Sequence, residues 1–239
     1  FSCSDLNEDP IVTAVGAPLA GASFAYEAPA SCDFTVPTDF ATPALAAASA
    51  SVPDGSTVCV DAGTYNEFVI DRPLTVVGLN DPSGANAATI SPSNFTTGTS
   101  IIEIQSDDVT VRGLSVDGTG VGSTWAQYAG IRVVTNGTTG DLSNINILEN
   151  IVTGINNVNT SGPRTALGIQ LFADTAGAED ILNVNIDGNF ISDIKSASGG
   201  AHGIQLVNDL AGIVVNENTV EDVDGGWETG IAVDGNNPA

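Results

Sequence analysis

Basic side chains are scarce in this 239-residue chain: five Lys and Arg stand against 29 Asp and Glu, for a formal charge of −24 at pH 7. That balance excludes nucleic-acid phosphates and anionic membrane surfaces as main partners, since both carry the same sign. Cysteine is nearly as rare. Cys3, Cys32 and Cys59 are too few and too unevenly spaced for a zinc site, and no Cys-x-x-Cys occurs, so no metal or cofactor is expected beyond a weak calcium site. No run approaches the length of a transmembrane span, which argues against membrane insertion. The chain opens on Phe1 rather than Met, as a processed, secreted product would.

Export allows a disulfide. Pairing of Cys3 with Cys32 is the expected one, because it would tie down an otherwise loose N-terminus, while Cys59, between Val58 and Val60, reads as a small buried thiol. Three glycosylation sequons, at Asn94, Asn136 and Asn159, agree with an extracellular or cell-surface location. Charged residues make up only 14% of the chain and hydrophobic residues 42%, so the acid excess belongs to a folded surface and not to disorder. An acidic shell with almost no lysine suits a halophilic setting, where salt screens its self-repulsion.

A repeat organises what is present. The strand Gly130-Ile131-Arg132-Val133 recurs as Gly168-Ile169-Gln170-Leu171, Gly203-Ile204-Gln205-Leu206 and Gly230-Ile231-Ala232-Val233, with Ile102-Glu103-Ile104 in the same slot upstream. A second strand follows as Ile145-Asn146-Ile147, Val184-Asn185-Ile186 and Ile213-Val214-Val215, each leading to an Asn three residues on: Asn150, Asn189 and Asn218. Upstream, Leu114 and Leu79 take that slot. Strict alternation argues for short strands with one buried face. One repeat cannot bury its own apolar face, but stacked repeats can, each pairing its backbone with the next. The expected fold is all-β, a right-handed parallel β-helix, or solenoid, over residues 41–239. The recurrent Asn is then expected to form a ladder of stacked amides along the axis and to take the left-handed backbone angles of the bend.

At the start of the solenoid, Thr42 is a suitable N-cap and Pro43 suits the first helical position. A short capping helix is therefore expected in the Ala-rich run that ends before Pro53. Residues 1–40 form an N-terminal extension whose alternating Phe24/Tyr26 and Cys32/Phe34/Val36 suggest strands. At the other end, the strand 230–235 is followed by no recognisable cap. Either the chain continues in a longer protein, or a neighbouring copy covers the strand with apolar stretches within residues 10–36, in a head-to-tail homopolymer.

The segment "DGSTVCVDAGTYNEFVIDRPLTVVGLN", with Gly63, Tyr65, Glu67 and then Leu74-Thr75-Val76-Val77-Gly78, resembles the opening coil of right-handed parallel β-helix proteins. These include the pectin methylesterases and the NosD-like surface proteins. The resemblance implies the pectin-lyase-like fold. The methylesterase reaction needs an Asp nucleophile and an Asp acid/base, and that family's Gln-Asp-Thr and Asp-Phe-Ile-Phe-Gly signatures are absent from this chain. Pectate lyases share the fold and use calcium-binding acids with a basic residue.

Any ligand site is expected on the outward residues of the Gly-Ile strand: Glu103, Arg132, Gln170, Gln205 and Ala232. Glu103 and Arg132 would pair across coils, the glutamines would bond sugar hydroxyls, and Trp125 or Tyr128 would stack on a ring. The plainer reading of the row is a solvated β face. His202 reads as a turn or partly buried histidine rather than a general base. Asp193 and Asp222, beside Glu221 and Asp224, are the acids that would hold calcium. The functional expectation is a structural or adhesive role at a surface or in an extracellular filament. The alternative is a polysaccharide-active enzyme or a carbohydrate-binding module.

Overall fold

The computed structural model describes residues 26–92, 99–120, 122–123, 127–135, 140–158, 160, 164–173 and 179–234, with 122–123 described by backbone alone. Alternating apolar residues and frequent turn residues give short strands, and every strand pairing among them is parallel. Sheet 1 contains Phe34–Val36, Thr57–Val60, Thr75–Gly78, Thr110–Arg112, Leu142–Leu148 and Ile181–Asp187, then Leu210–Ala211 and Val214–Asn216. Sheet 2 contains Gly63–Tyr65, Ala88–Ile90, Ser115–Asp117, Ile151–Thr153, Phe190–Ser192 and Thr219–Val220. Sheet 3 contains Phe68–Ile70, Ser100–Ile104, Gln127–Val134, Thr165–Phe172, Gly200–Val207 and Trp227–Asp234. Sheet 4 is short: Gly122–Ser123, Asn156–Asn157, Ile194–Ser196 and Val223–Asp224.

The chain visits sheets 1, 2 and 3 in its first two coils, and sheets 1, 2, 4 and 3 in the next four. This is a parallel β-helix-like stack. Register follows the sequence repeat residue by residue: Ile102, Ile131, Ile169, Ile204 and Ile231 are successive partners in sheet 3. The first four of these are completely buried in one core cluster that runs through the coils. Each buried Ile contributes about 1.5–3 kcal/mol relative to exposure, so the column is a main source of cohesion.

Corners are made by left-handed residues that stack from coil to coil. Asp108, Asn144, Asn183 and Gly212 form one column with φ between 53° and 67°. Gly113, Glu149, Gly188 and Glu217 form a second, with φ between 50° and 66°. Each member of the second column immediately precedes Leu114, Asn150, Asn189 or Asn218. The expectation that the ladder asparagines themselves adopt left-handed angles is therefore corrected. The neighbour takes the strained conformation and leaves the Asn free to aim its amide along the axis.

Near the N-terminal end, the helix Pro43–Ala47 is capped by Thr42, whose side chain accepts a hydrogen bond from the Leu45 amide at 3.2 Å. It buries Pro43, Ala46 and Ala47 and lies against Thr57–Val60 and Phe68–Ile70. Only the first half of the Ala-rich run is helical. The strand Phe34–Val36 pairs with Thr57–Val60 of its own chain and forms the edge of sheet 1.

That pairing also corrects the expected disulfide. Thr35 lies opposite Cys59, which brings Cys32 to a Cα–Cα distance of 5.6 Å, and the bond formed is Cys32–Cys59. Cys59 is accordingly not a thiol, and Cys3 lies outside the described residues. Among the described residues no helix is long and apolar enough to cross a membrane.

Candidate functional site

Asn150, Asn189 and Asn218 sit at the bend between sheets 1 and 2, one per coil. The Asn189 Oδ1 accepts from both the backbone amide and the Nδ2 of Asn150, each at 3.0 Å. The Asn218 Oδ1 accepts likewise from Asn189, each at 2.9 Å. The spare Nδ2 hydrogens go to the carbonyls of Val111, Ile147 and Ile186, and the Asn150 Oδ1 accepts from the Leu114 amide. The leucine coil thus ends the ladder by offering its backbone N–H. Asn150 and Asn189 are buried and Asn218 is partly so, and the bonds of the buried pair answer groups shut away from water.

The sheet 3 row is built as one register column: Glu103, Arg132, Gln170, Gln205 and Ala232 are successive partners. Its chemistry differs from the expectation. Gln170 is completely buried, and its Nε2 donates to the Gln205 Oε1 at 2.9 Å. Gln205, 8% exposed, donates in turn to the Asp234 Oδ2 at 2.9 Å. Both amides are thus directed along the axis. A glutamine with no exposed surface cannot meet a sugar hydroxyl in this conformation.

Arg132 and Glu103 adjoin but form no direct ion pair. The carboxylate accepts from the Ser100 Oγ at 2.9 Å and from Gln105, while an Arg132 terminal nitrogen donates to the Thr99 Oγ1 at 2.7 Å. The guanidinium lies over the Phe172 ring, 5.2 Å from its centroid. Its Nε is buried with no hydrogen-bond partner. Burial holds the Arg132 pKa below the usual arginine value, and the nearby Glu103 charge opposes that shift.

Tyr128 is not a stacking platform. It belongs to the strand Gln127–Val134, is completely buried in the core, and has its phenol pKa pushed up by that burial. Trp125 and all three sequon asparagines, Asn94, Asn136 and Asn159, lie outside the described residues. His202 is partly buried on sheet 3, and its Nδ1 is 2.6 Å from the Thr229 Oγ1. Burial lowers its pKa, and Asp234 pulls it the other way.

Asp193 and Asp222 do occupy equivalent places, as the pairing of Ile194 with Val223 requires, and both have left-handed backbones. Short polar side chains tolerate that conformation, which gives these acids a structural reason. Asp193 pairs with Lys195. Asp222 borders an open groove of about 370 Å³ with Glu221, Glu228 and Thr229. No group of three or more potential metal ligands is brought together among the described residues.

One cluster escaped the sequence reading. Tyr26 lies on the flank near the second corner column: its hydroxyl donates to the Gly78 carbonyl and its ring receives the Arg112 guanidinium, 5.4 Å from the centroid. Arg112 also forms an ion pair with Glu149 at 2.8 Å. A side chain at Gly113 would overlap the Tyr26 ring, so the glycine there makes the seat. The available signal was the residue just before the Asn-or-Leu slot of each coil, which is Gly113 before Leu114 and Gly188 before Asn189.

No family model and no curated protein sequence matches the chain. Two solved structures of the pectin methylesterase from Aspergillus niger are similar to it. The penultimately deglycosylated form aligns with a TM-score of 0.44 and 13% identity, covering 88% of this chain and 86% of that one. The deglycosylated form aligns with a TM-score of 0.40 and 15% identity, covering 85% and 91%. Likeness at this level carries no argument about activity.

Proposed function

We propose that this chain is a structural element of an extracellular assembly: a right-handed β-solenoid that serves as a stiff acidic spacer or adhesive surface. The observation that carries the reading is the Gln170–Gln205–Asp234 chain of hydrogen bonds. On the face where a ligand row was expected, these polar groups join coil to coil, as the asparagine ladder does at the opposite bend. The right hand follows the general preference of parallel crossovers. The Cys32–Cys59 disulfide supports an oxidising, extracellular location. With 29 acids exceeding five bases, a hydrated, salt-tolerant surface is the remaining property of the sequence.

A second reading, a carbohydrate-binding or polysaccharide-active protein, is favoured by Arg132 alone. Its partly exposed guanidinium lies beside Glu103 and over Phe172, the arrangement of charge and ring that a sugar-binding surface would use. The experiment is a screen of the purified chain for binding and turnover on neutral and acidic polysaccharides, with and without calcium. The structural reading expects neither binding nor turnover. Binding that is abolished by Arg132→Ala with the fold intact would replace it with the second reading.

A further inference from the structure

The asparagine ladder leaves none of its buried amide atoms unpaired, but the sheet 3 row leaves two side-chain atoms so. The Arg132 Nε, a donor, and the Gln170 Oε1, an acceptor, are both shut off from solvent and have no hydrogen-bond partner. They belong to register partners on adjacent strands, and Gln170 is completely buried. The direction of the row is set at its far end. The Asp234 carboxylate only accepts, so Gln205 turns its Nε2 toward it and its Oε1 back toward Gln170. Gln170 then donates with its Nε2, which leaves its Oε1 on the side away from Gln205, facing the strand of Arg132. Rotating either amide by half a turn would set acceptor against acceptor. Arg132 is held as well: a terminal nitrogen donates to the Thr99 Oγ1 at 2.7 Å, and the guanidinium lies over the Phe172 ring, 5.2 Å from its centroid. With both contacts made, its Nε forms no direct bond to Gln170.

We propose that one water molecule is bound between Arg132 and Gln170, accepting from the Nε and donating to the Oε1. Leftover buried polar groups are answered in this way in folded proteins, and the chemistry of these two atoms selects the occupant. A cation is repelled by the guanidinium. An anion sets a second acceptor against the Gln170 oxygen, and an apolar group answers neither atom. A single hydroxyl-type oxygen answers both. With Gln170 completely buried, the occupant is the smallest molecule that carries one. The water makes the row continuous: Thr99, Arg132, the water, Gln170, Gln205 and Asp234 then join the coils of five successive sheet 3 strands. The site rests on the structural reading of this row and extends it from three linked side chains to the greater part of the stack.

NOESY and ROESY spectra of the isotope-labelled 239-residue chain read the site at the Arg132 Hε proton. A long-lived bound water gives that proton a cross-peak at the water frequency whose sign reverses between the two spectra, whereas proton exchange gives one that does not. Wild type is expected to show the reversing peak. Gln170→Met keeps the length of the side chain and removes the acceptor, so the peak should be lost while the Asn150 and Asn189 amide signals stay in place. Should that variant not fold, the wild-type spectra decide alone. Absence of the peak in wild type overturns the proposal. So does a coupling through the hydrogen bond from the Arg132 Nε to the Gln170 carboxamide carbon, which shows a direct bond. A peak that survives Gln170→Met also overturns it, because the water is then held elsewhere. Cellohexaose and a galacturonate oligomer, added in turn, test the source of the oxygen. The water peak is expected to persist, and its replacement by a peak to a sugar proton overturns the proposal. Saccharide binding with the water peak retained defeats the spacer reading alone, and a missing water peak without saccharide binding defeats this site alone.

Discussion

The Oδ1 of Asn189 accepts two hydrogen bonds from Asn150 of the preceding coil, one from the backbone amide and one from the side-chain amide, each at 3.0 Å. Asn189→Leu would leave the buried Asn150 amide without an acceptor and the Ile147 carbonyl without a donor. Each orphaned buried group costs about 1–3 kcal/mol, so a loss of about 2–4 kcal/mol is expected. In a chain of this size that lowers the thermal midpoint by roughly 5–15 °C. A midpoint within a degree of wild type would show that the ladder contributes nothing in that coil.

The disulfide gives a second test. Digestion without reductant should release a peptide containing Cys32 joined to one containing Cys59. In the chain-entropy description a loop of this length stabilises by about 3–4 kcal/mol, and reduction should lower the unfolding midpoint accordingly. A Cys3–Cys32 linkage in the digest would contradict the strand pairing of Phe34–Val36.

Gly113→Ala is the third. The residue has φ +66°, and its new methyl group would meet the Tyr26 ring. Strain of about 1 kcal/mol or more is expected, together with faster hydrogen exchange in the residues around Tyr26. Gly140→Ala, also at positive φ but with open space around it, should show the strain without the release of Tyr26.

His202 supplies a pH dependence. Burial sets its folded pKa below the ordinary 6.5, so the unfolded chain binds the proton more readily than the folded one. The sign follows: the His202 contribution is harmless above about pH 6.5 and costs stability as pH falls from there toward the folded pKa. NMR titration of the imidazole should give a midpoint below 6.5, and His202→Gln should flatten that part of the stability curve. A midpoint above 6.5 would mean that Asp234 outweighs burial.

The coil repeat was legible because the Gly-Ile strands recur with the same pattern and each second strand leads to its Asn at a constant three-residue step, and period-two alternation fixes which residues of a strand face inward. Alternation says nothing about what covers the outward face. Gln170 was therefore placed correctly in the row and wrongly in solvent. Tyr128 was misread because the strand extends three residues before the Gly-Ile motif, which turns a supposed stacking aromatic into core. Three cysteines allow three pairings, and only the parallel addition of Phe34–Val36 to the first coil selects one. The left-handed column of Asp108, Asn144, Asn183 and Gly212 was hidden because its members differ in type and share only a tolerance of positive φ.

The central claim is that the sheet 3 row holds coils together, and a double-mutant cycle on Gln170 and Gln205 tests it most directly. Unfolding free energies would be measured for Gln170→Ala, Gln205→Ala and the pair, with polysaccharide binding measured on the same samples. The account predicts that each single change destabilises, that the two are coupled by about 0.5–1.5 kcal/mol, and that no binding is seen in any sample. Additive, near-neutral changes accompanied by the loss of a sugar ligand that the wild type binds would contradict it.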